Sequence, residues 1–348
     1  MYNSSKEYLI YLQRVLKQTD INDYLNLDKI NKFYHTQNCK IEDYSKNNLL
    51  LPENFQQTYK ETLKAYNSYF NKKNNIENPI EDVLTVLINR IMYSLSIDLR
   101  NRLENIEIGS LFKLYPNAMF FKDNNYLVIL ISSALLQLIY NNICLLEAIS
   151  FPDNVTFFSY SDTKLNLSKL NTEFYSNFQN NYINNIKEVS FPYPIIFTFN
   201  DYSMDIVIDH FELITVFIIF HEYAHYLNND LNNNQHIHSK INEFNADSTA
   251  LELMLKHYIP YKYKSLITET DLILMIEYYL FRFIYAINIT ANNHPSPGER
   301  VINLVEKTIS KIQFRKEDIY KKDIYRLKAN LKLFKEIYKM EKIWITKC

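Results

Sequence analysis

The sequence predicts a mainly α protein with a small β-sheet, an α+β class. Three observations predict it. Apolar residues recur at intervals of three and four over 80–104, and a Lys-rich amphipathic pattern runs over 316–340. A near-continuous apolar run, Phe211 to Phe220, leads into His221 without a proline, and the bulky, uncharged residues just before His221 fit a buried helix. Strand signals are short and few.

The elements follow in chain order. Amphipathic stretches lie near 5–18, 53–70 and 80–104. In the last, Ile80, Val83, Leu84, Leu87, Ile91, Leu95, Leu99 and Leu103 keep helical phase, and Pro79 stands at its start, where proline is tolerated. From Tyr126 the chain reads as a strand to about Ile131, then as a buried helix. Ser132, Ser133, Gln137, Asn141 and Asn142 argue against exposure of that stretch to hydrocarbon, and its unbroken apolar part is shorter than the ~20 residues a membrane span needs. Val155 to Phe158 is strand-prone, a helix is expected near 164–188, and Pro192 and Pro194 break the chain before a second strand candidate, Ile195 to Phe199. Residues 265–292 read as a long core helix, and 316–340 as an amphipathic helix whose basic face is best read as solvated.

The chain has 348 residues, 47% hydrophobic and 22% charged, so a substantial core is expected and global disorder is not. Its 38 basic and 39 acidic residues leave a net charge of −1, which gives no general attraction to nucleic acid or an anionic membrane. Cys39, Cys144 and Cys348 are odd in number and widely spaced, which fits a reducing, cytoplasmic setting better than a disulfide framework. The first residues carry no secretory hydrophobic core.

The chemistry concentrates in His221-Glu222-Tyr223-Ala224-His225, an H-E-x-x-H pattern. Residues four apart share a helix face, so both imidazoles can reach one metal ion while Glu222 flanks it. Two histidine ligands and a glutamate general base form the zinc-peptidase arrangement. A third ligand candidate, Glu243, follows 18 positions after His225, beyond a turn-former cluster from Asn228 to Asn234. A second helix is expected to start near Ser239 as N-cap, with Ile241, Phe244, Ser248, Leu251 and Leu255 as its inward stripe. Glu243 and Asp247 are four apart and project from one face, so Glu243 can ligate while Asp247 sits behind a ligating histidine and fixes its tautomer. Taken without the H-E-x-x-H, the two acids would read as a solvated helix face. Two histidines and one carboxylate leave a fourth zinc position open for water, the catalytic rather than the structural pattern.

A third block runs from His294 to Arg300. Locally it is a helix start, with Ser296 as N-cap, Pro297 at the first helical position and Glu299 completing a capping box. Such a cap can also fix His294 and Arg300 near a cleft, there to bind an oxyanion or hold an active-site acid. Of the other histidines, His210 reads as packing or capping, His236 and His238 as loop residues, and His257 as a cation at the end of the second motif helix.

The order H-E-x-x-H, E-x-x-x-D, H-P-S-x-x-x-R resembles that of the gluzincin metallopeptidases, most of all the family of the CAAX prenyl proteases and heat-shock membrane proteases. Pro116 to Phe121, followed by Tyr126 to Leu136, is similar to that family's N-A-F segment, strand and following helix start. The family's glycines after that strand are absent, the gap from Ile131 to His221 is longer, and no membrane-spanning helices are evident. A second resemblance, to the soluble Lit-type phage-exclusion peptidases of bacteria, which cleave a host protein, rests on similar organisation. The resemblance implies a zincin-like catalytic core with additional helices. It implies Zn2+ held by His221, His225 and Glu243, with Glu222 as base, Asp247 behind a ligand, and His294 and Arg300 as accessory site residues. In the family the N-A-F strand pairs with extended substrate, so a protein or peptide substrate is implied. The charge balance and the short apolar runs, not the resemblance, are the ground for expecting no nucleic acid and no membrane partner.

The expected organisation is a helical N-terminal region over 1–110, a metallopeptidase core over 111–315 with an insertion at about 150–200, and a C-terminal amphipathic helix over 316–348. No linker rich in Gly, Ser or Pro separates them, so one compact domain overall stays open. The function expected is a zinc-dependent endopeptidase. Its alternatives are a defence or toxin-like protease specific for one host protein, and a non-catalytic binding module with a structural zinc site.

Overall fold

In the computed structural model of the chain, the described residues are 4–13, 79–111, 118–123, 125–159, 196–230, 240–263, 276, 295–314 and 321–345. The expectations for 14–18, 53–70, 164–188 and 265–292, apart from Ile276, lie outside them, as do Ser239, His236, His238 and His294. Numbered over the described residues, the helices are α1 (5–13), α2 (Pro79–Ser94), α3 (Ile97–Leu103), α4 (Ser133–Ser150), α5 (Asp201–Leu227), α6 (Lys240–Leu253), α7 (Ile259–Tyr263), α8 (Pro297–Phe314) and α9 (Lys321–Ile345). The strands are β1 (Ile106–Leu111), β2 (Ala118–Asp123), β3 (Tyr126–Ser132), β4 (Val155–Ser159) and β5 (Ile196–Phe199). The protein is mainly α with a small β-sheet, as the periodicities predict.

The sheet has the order β1-β3-β2, with β1 parallel and β2 antiparallel to the central β3. Leu127 to Ile131 of β3 are all buried, because both faces of the strand are covered. Ile129 and Ile131 join the main core, whereas Val128 and Leu130 pack under α1 with Tyr8 and Leu9. Gly109 of β1 permits this close approach, since a Cβ there would stand 2.7 Å from Leu9 Cδ1. Strand β1 is not among the elements predicted above, although Ile106-Glu107-Ile108 alternates as a half-buried strand does. Strands β4 and β5 pair antiparallel, with a register shift between Val155 and Phe157.

The stretch read as one helix over 80–104 is two. Helix α2 stops at Ser94 and α3 begins at Ile97 after the extended Ser96. Arg100 reaches back and donates to the carbonyls of Met92 (2.9 Å), Tyr93 and Leu95 (both 3.4 Å), satisfying acceptors that the break exposes. Leu84, Leu87, Ile91, Leu95 and Leu103 keep their inward phase across it, but Val83 is exposed.

Helix α5 runs through the middle of the fold. Asn200 caps its start by accepting from the Ser203 amide at 2.9 Å. From Glu212 to His225 every residue is buried, so the helix is enclosed on all sides rather than amphipathic. Its one buried acid before the motif, Glu212, meets Arg90 and Lys262, each at 2.6 Å, and accepts from the Tyr258 hydroxyl. These contacts tie α2, α5 and the segment after α6 together. That segment corrects one expectation: α6 does not end at His257 but passes through a π-helical turn, Met254–Tyr258, into α7. Helix α9 packs on α8 and exposes Lys328, Lys332, Lys335 and Lys339. No helix among the described residues is long and apolar enough to cross a membrane.

Candidate metal centre

Helix α5 delivers His221 and His225 on one face, one turn apart, with their ring centroids 4.7 Å apart. Helix α6 packs against α5 and delivers Glu243 from its first turn. The expected inward stripe of α6 holds at Leu251 and in part at Phe244, Ser248 and Leu255, and fails at Ile241. Ile241 is 68% exposed, and the buried face is Glu243, Ala246, Asp247, Ala250 and Leu251. The physical reason is that this face meets the histidines. It carries carboxylates where it meets them and alanines where it must lie close to α5.

The donor atoms converge. His221 Nε2 lies 3.2 Å from His225 Nε2 and 3.3 Å from Glu243 Oε2, and His225 Nε2 lies 3.6 Å from Glu243 Oε1. Donors about 2.0–2.1 Å from a tetrahedral zinc stand about 3.3 Å from one another, so the three atoms have the spacing of a tetrahedral face. All three side chains are buried, and this is the group of described residues that can hold a metal ion.

Each histidine is gripped at its other nitrogen. His221 Nδ1 lies 3.0 Å from Asp247 Oδ1, and His225 Nδ1 lies 2.9 Å from Asp230 Oδ2. These contacts assign the Nδ1 protons, so both Nε2 lone pairs face the same small space. Two lone pairs at 3.2 Å repel unless a cation or a proton lies between them, and the donor set of two imidazoles and a carboxylate suits zinc. The residues present therefore fit the metal.

Arg300, from the first turn of α8, donates to both Asp247 oxygens, from Nη2 at 2.5 Å and from Nε at 2.9 Å. Its Nη1 stands 3.9 Å from Glu243 Oε2. Nη2 is also 3.4 Å from His221 Nδ1; with that nitrogen's proton donated to Asp247, the contact is packing. The capping box is formed: Glu299 accepts from the Ser296 amide at 2.8 Å, and Ser296 Oγ accepts from the Glu299 amide at 3.3 Å. Lys240 joins Glu299 at 3.0 Å, and Lys307 donates to Ser248 Oγ at 3.0 Å, so α6 and α8 are tied on both sides of the Arg300–Asp247 pair.

Burial pushes His221 down and so does the Arg300 charge, but the hydrogen bonds to Asp247 and Glu243 override both and raise it to about 9. Burial would raise Asp247; the Arg300 charge and its hydrogen bonds hold it down at about 2, so it is an anion at neutral pH. Glu222 is 7% exposed and pairs with no cation among the described residues. His210 lies on α5, outside this cluster, with its pKa lowered by burial. Asp230 went unnoticed in the sequence, where Asn228-Asn229-Asp230 reads only as a turn; its signal is an acid placed just past a helix that ends on a candidate ligand.

Residues 157–318, just under half of the chain, match the model of the family Peptidase U49. That span contains His221, Glu222, His225, Asp230, Glu243, Asp247 and Arg300. The similarity supports a peptidase, and with it a protein or peptide substrate. Comparison with curated proteins finds no match, and comparison with solved structures finds none.

Proposed function

We propose that the protein is a zinc-dependent endopeptidase of the gluzincin type, with a zincin-like core. His221, His225 and Glu243 would hold Zn2+, and Glu222 is the general base. The observation that carries this reading is the spacing of the three donor atoms, 3.2, 3.3 and 3.6 Å, on buried side chains whose outer nitrogens are already fixed. Zinc held there supplies Lewis acidity to a scissile carbonyl and draws the pKa of a water toward neutrality.

The chain's own residues do the rest. The Glu222 carboxylate takes the proton of the attacking water and delivers it to the leaving amine nitrogen. A purely structural site would have no use for that buried acid, which meets no cation among the described residues. Asp247 holds the His221 ring, and Arg300 keeps Asp247 charged. Strand β2 is an edge of the sheet, pairing only with β3 among the described residues, and its Phe120 lies against Tyr226 of α5 at 6.3 Å between centroids. An extended peptide can pair with such an edge through its main chain beside the site. The role of His294 as an oxyanion donor stands as part of the proposal.

The test is the purified chain with and without Glu222→Gln. Elemental analysis is expected to find about one zinc per chain in both, and hydrolysis of a lysate or peptide library only in the wild type. His225→Ala is expected to lose the metal. Full hydrolysis by Glu222→Gln, or wild-type protein without zinc, would sink the reading.

A further inference from the structure

The way α5 ends places an acid on the metal centre. Asn228 is the last αR residue, and Asn229 takes φ 56°, the one non-glycine residue with positive φ among the described residues. The Asn229 amide donates to the Tyr226 carbonyl and the Asp230 amide to the His225 carbonyl, both at 3.1 Å. That pair of bonds is a Schellman motif, in which the residue after the left-handed position folds back over the last turn of the helix. Its side chain usually makes an apolar contact there. Here it is a carboxylate, 7% exposed, with Oδ2 2.9 Å from His225 Nδ1. One residue thus binds His225 twice, through its main chain and through its side chain.

We propose that Asp230 is a positioning residue for the metal centre, set in place by the helix stop itself. Accepting the Nδ1 proton of His225 fixes the tautomer that turns the Nε2 lone pair toward His221 and Glu243, and the anion raises the basicity of the ring. Asp247 divides its charge between Arg300 and His221, whereas among the described residues Asp230 faces His225 with no Lys or Arg beside it. Asn229 is the linchpin of the placement. Only Gly, Asn and Asp visit the left-handed region readily, and this chain has two glycines in all. The proposal rests on the zinc reading above.

The experiment measures zinc affinity of the full chain by competition with a chromophoric chelator, beside the urea midpoint of the metal-free protein and imidazole 15N spectra. Asp230→Ala is expected to bind zinc about 10–100-fold more weakly. Asp230→Asn, which keeps an acceptor but loses the charge, is expected to fall between Ala and wild type, and its native-like shape serves where Ala does not fold. The His225 Nδ1–H signal should weaken in the same order. Asn229→Gly, compatible with the same φ, should keep wild-type affinity, and Asn229→Val should lose it in parallel with Asp230→Ala. If wild type binds zinc and both Asp230 variants bind it equally well, with only the urea midpoint lowered, Asp230 is a helix cap and the inference fails alone. If wild type binds no zinc, this inference and the reading it rests on fall together.

Discussion

Removing Arg300 should expose how strongly Asp247 depends on it. The side chains of the pair are 12% and 0% exposed, and the contact is bidentate, so solvent screens it little. Deleting one member of a buried pair costs about 3–5 kcal/mol, because the other charge is left without compensation. Asp247 keeps one partner, His221 Nδ1 at 3.0 Å, which places Arg300→Met at the lower end, about 3 kcal/mol, or a shift of more than a hundredfold in the folding equilibrium. Methionine is the replacement of choice because it keeps the apolar stem that packs between α6 and α8. Urea unfolding of the metal-free protein at neutral pH, followed by circular dichroism and fluorescence, reads the loss. The double variant Arg300→Met/Asp247→Asn removes the stranded charge and should regain about 2 kcal/mol of it. A single variant that costs less than about 1 kcal/mol, or a double variant no more stable than the single, would show that the pair is not a buried ionic contact.

Two further outcomes are expected. Glu212→Ala leaves the Tyr258 hydroxyl without its acceptor, while Lys262 keeps Asp209 at 2.9 Å and Arg90, 47% exposed, turns to water; the loss should be about 1–2 kcal/mol in urea, with zinc stoichiometry unchanged. An unaffected midpoint would mean that α2, α5 and α7 are held by packing alone. Burial, the largest influence on Cys144, pushes its thiol up to about 12, so at pH 8 only about one molecule in ten thousand carries the reactive thiolate. Peptide mapping after iodoacetamide treatment should find Cys144 modified only in urea. The stability that this raised pKa contributes is complete below pH 9 and is lost as pH climbs toward 12.

The histidines were legible because a helix fixes the relation between positions four apart without reference to anything else. Glu243 was reachable because the chain announces a helix stop and a helix start between it and His225. The face of α6 was misread for a definite reason: periodicity equates inward with apolar, and here Glu243 and Asp247 are buried while Ile241 is outside. The break between α2 and α3 was hidden because Leu95 and Leu103 hold their phase across it, and the carbonyls freed there are satisfied by a side chain, Arg100, instead of by a change in pattern. Turn chemistry located Asn229 and Asp230 correctly as a helix end. It says where the backbone reverses, not where the carboxylate beyond the reversal comes to rest.

The two halves of the centre differ in how they are assembled. His225 and Asp230 are five residues apart and share one helix end, so that pair forms as soon as α5 and its cap form. His221 depends on Asp247, which depends in turn on Arg300, 53 positions further along, and so on the docking of α8 against α6. Glu243 belongs with this second half, since it rides on α6 and lies 3.9 Å from Arg300. A metal ion needs both halves, so its binding free energy is linked to that docking. Disturbing the Lys240–Glu299 or Lys307–Ser248 contacts should therefore weaken zinc binding although neither touches a ligand. The His225–Asp230 hydrogen bond should survive the same change, which separates loss of docking from unfolding of α5.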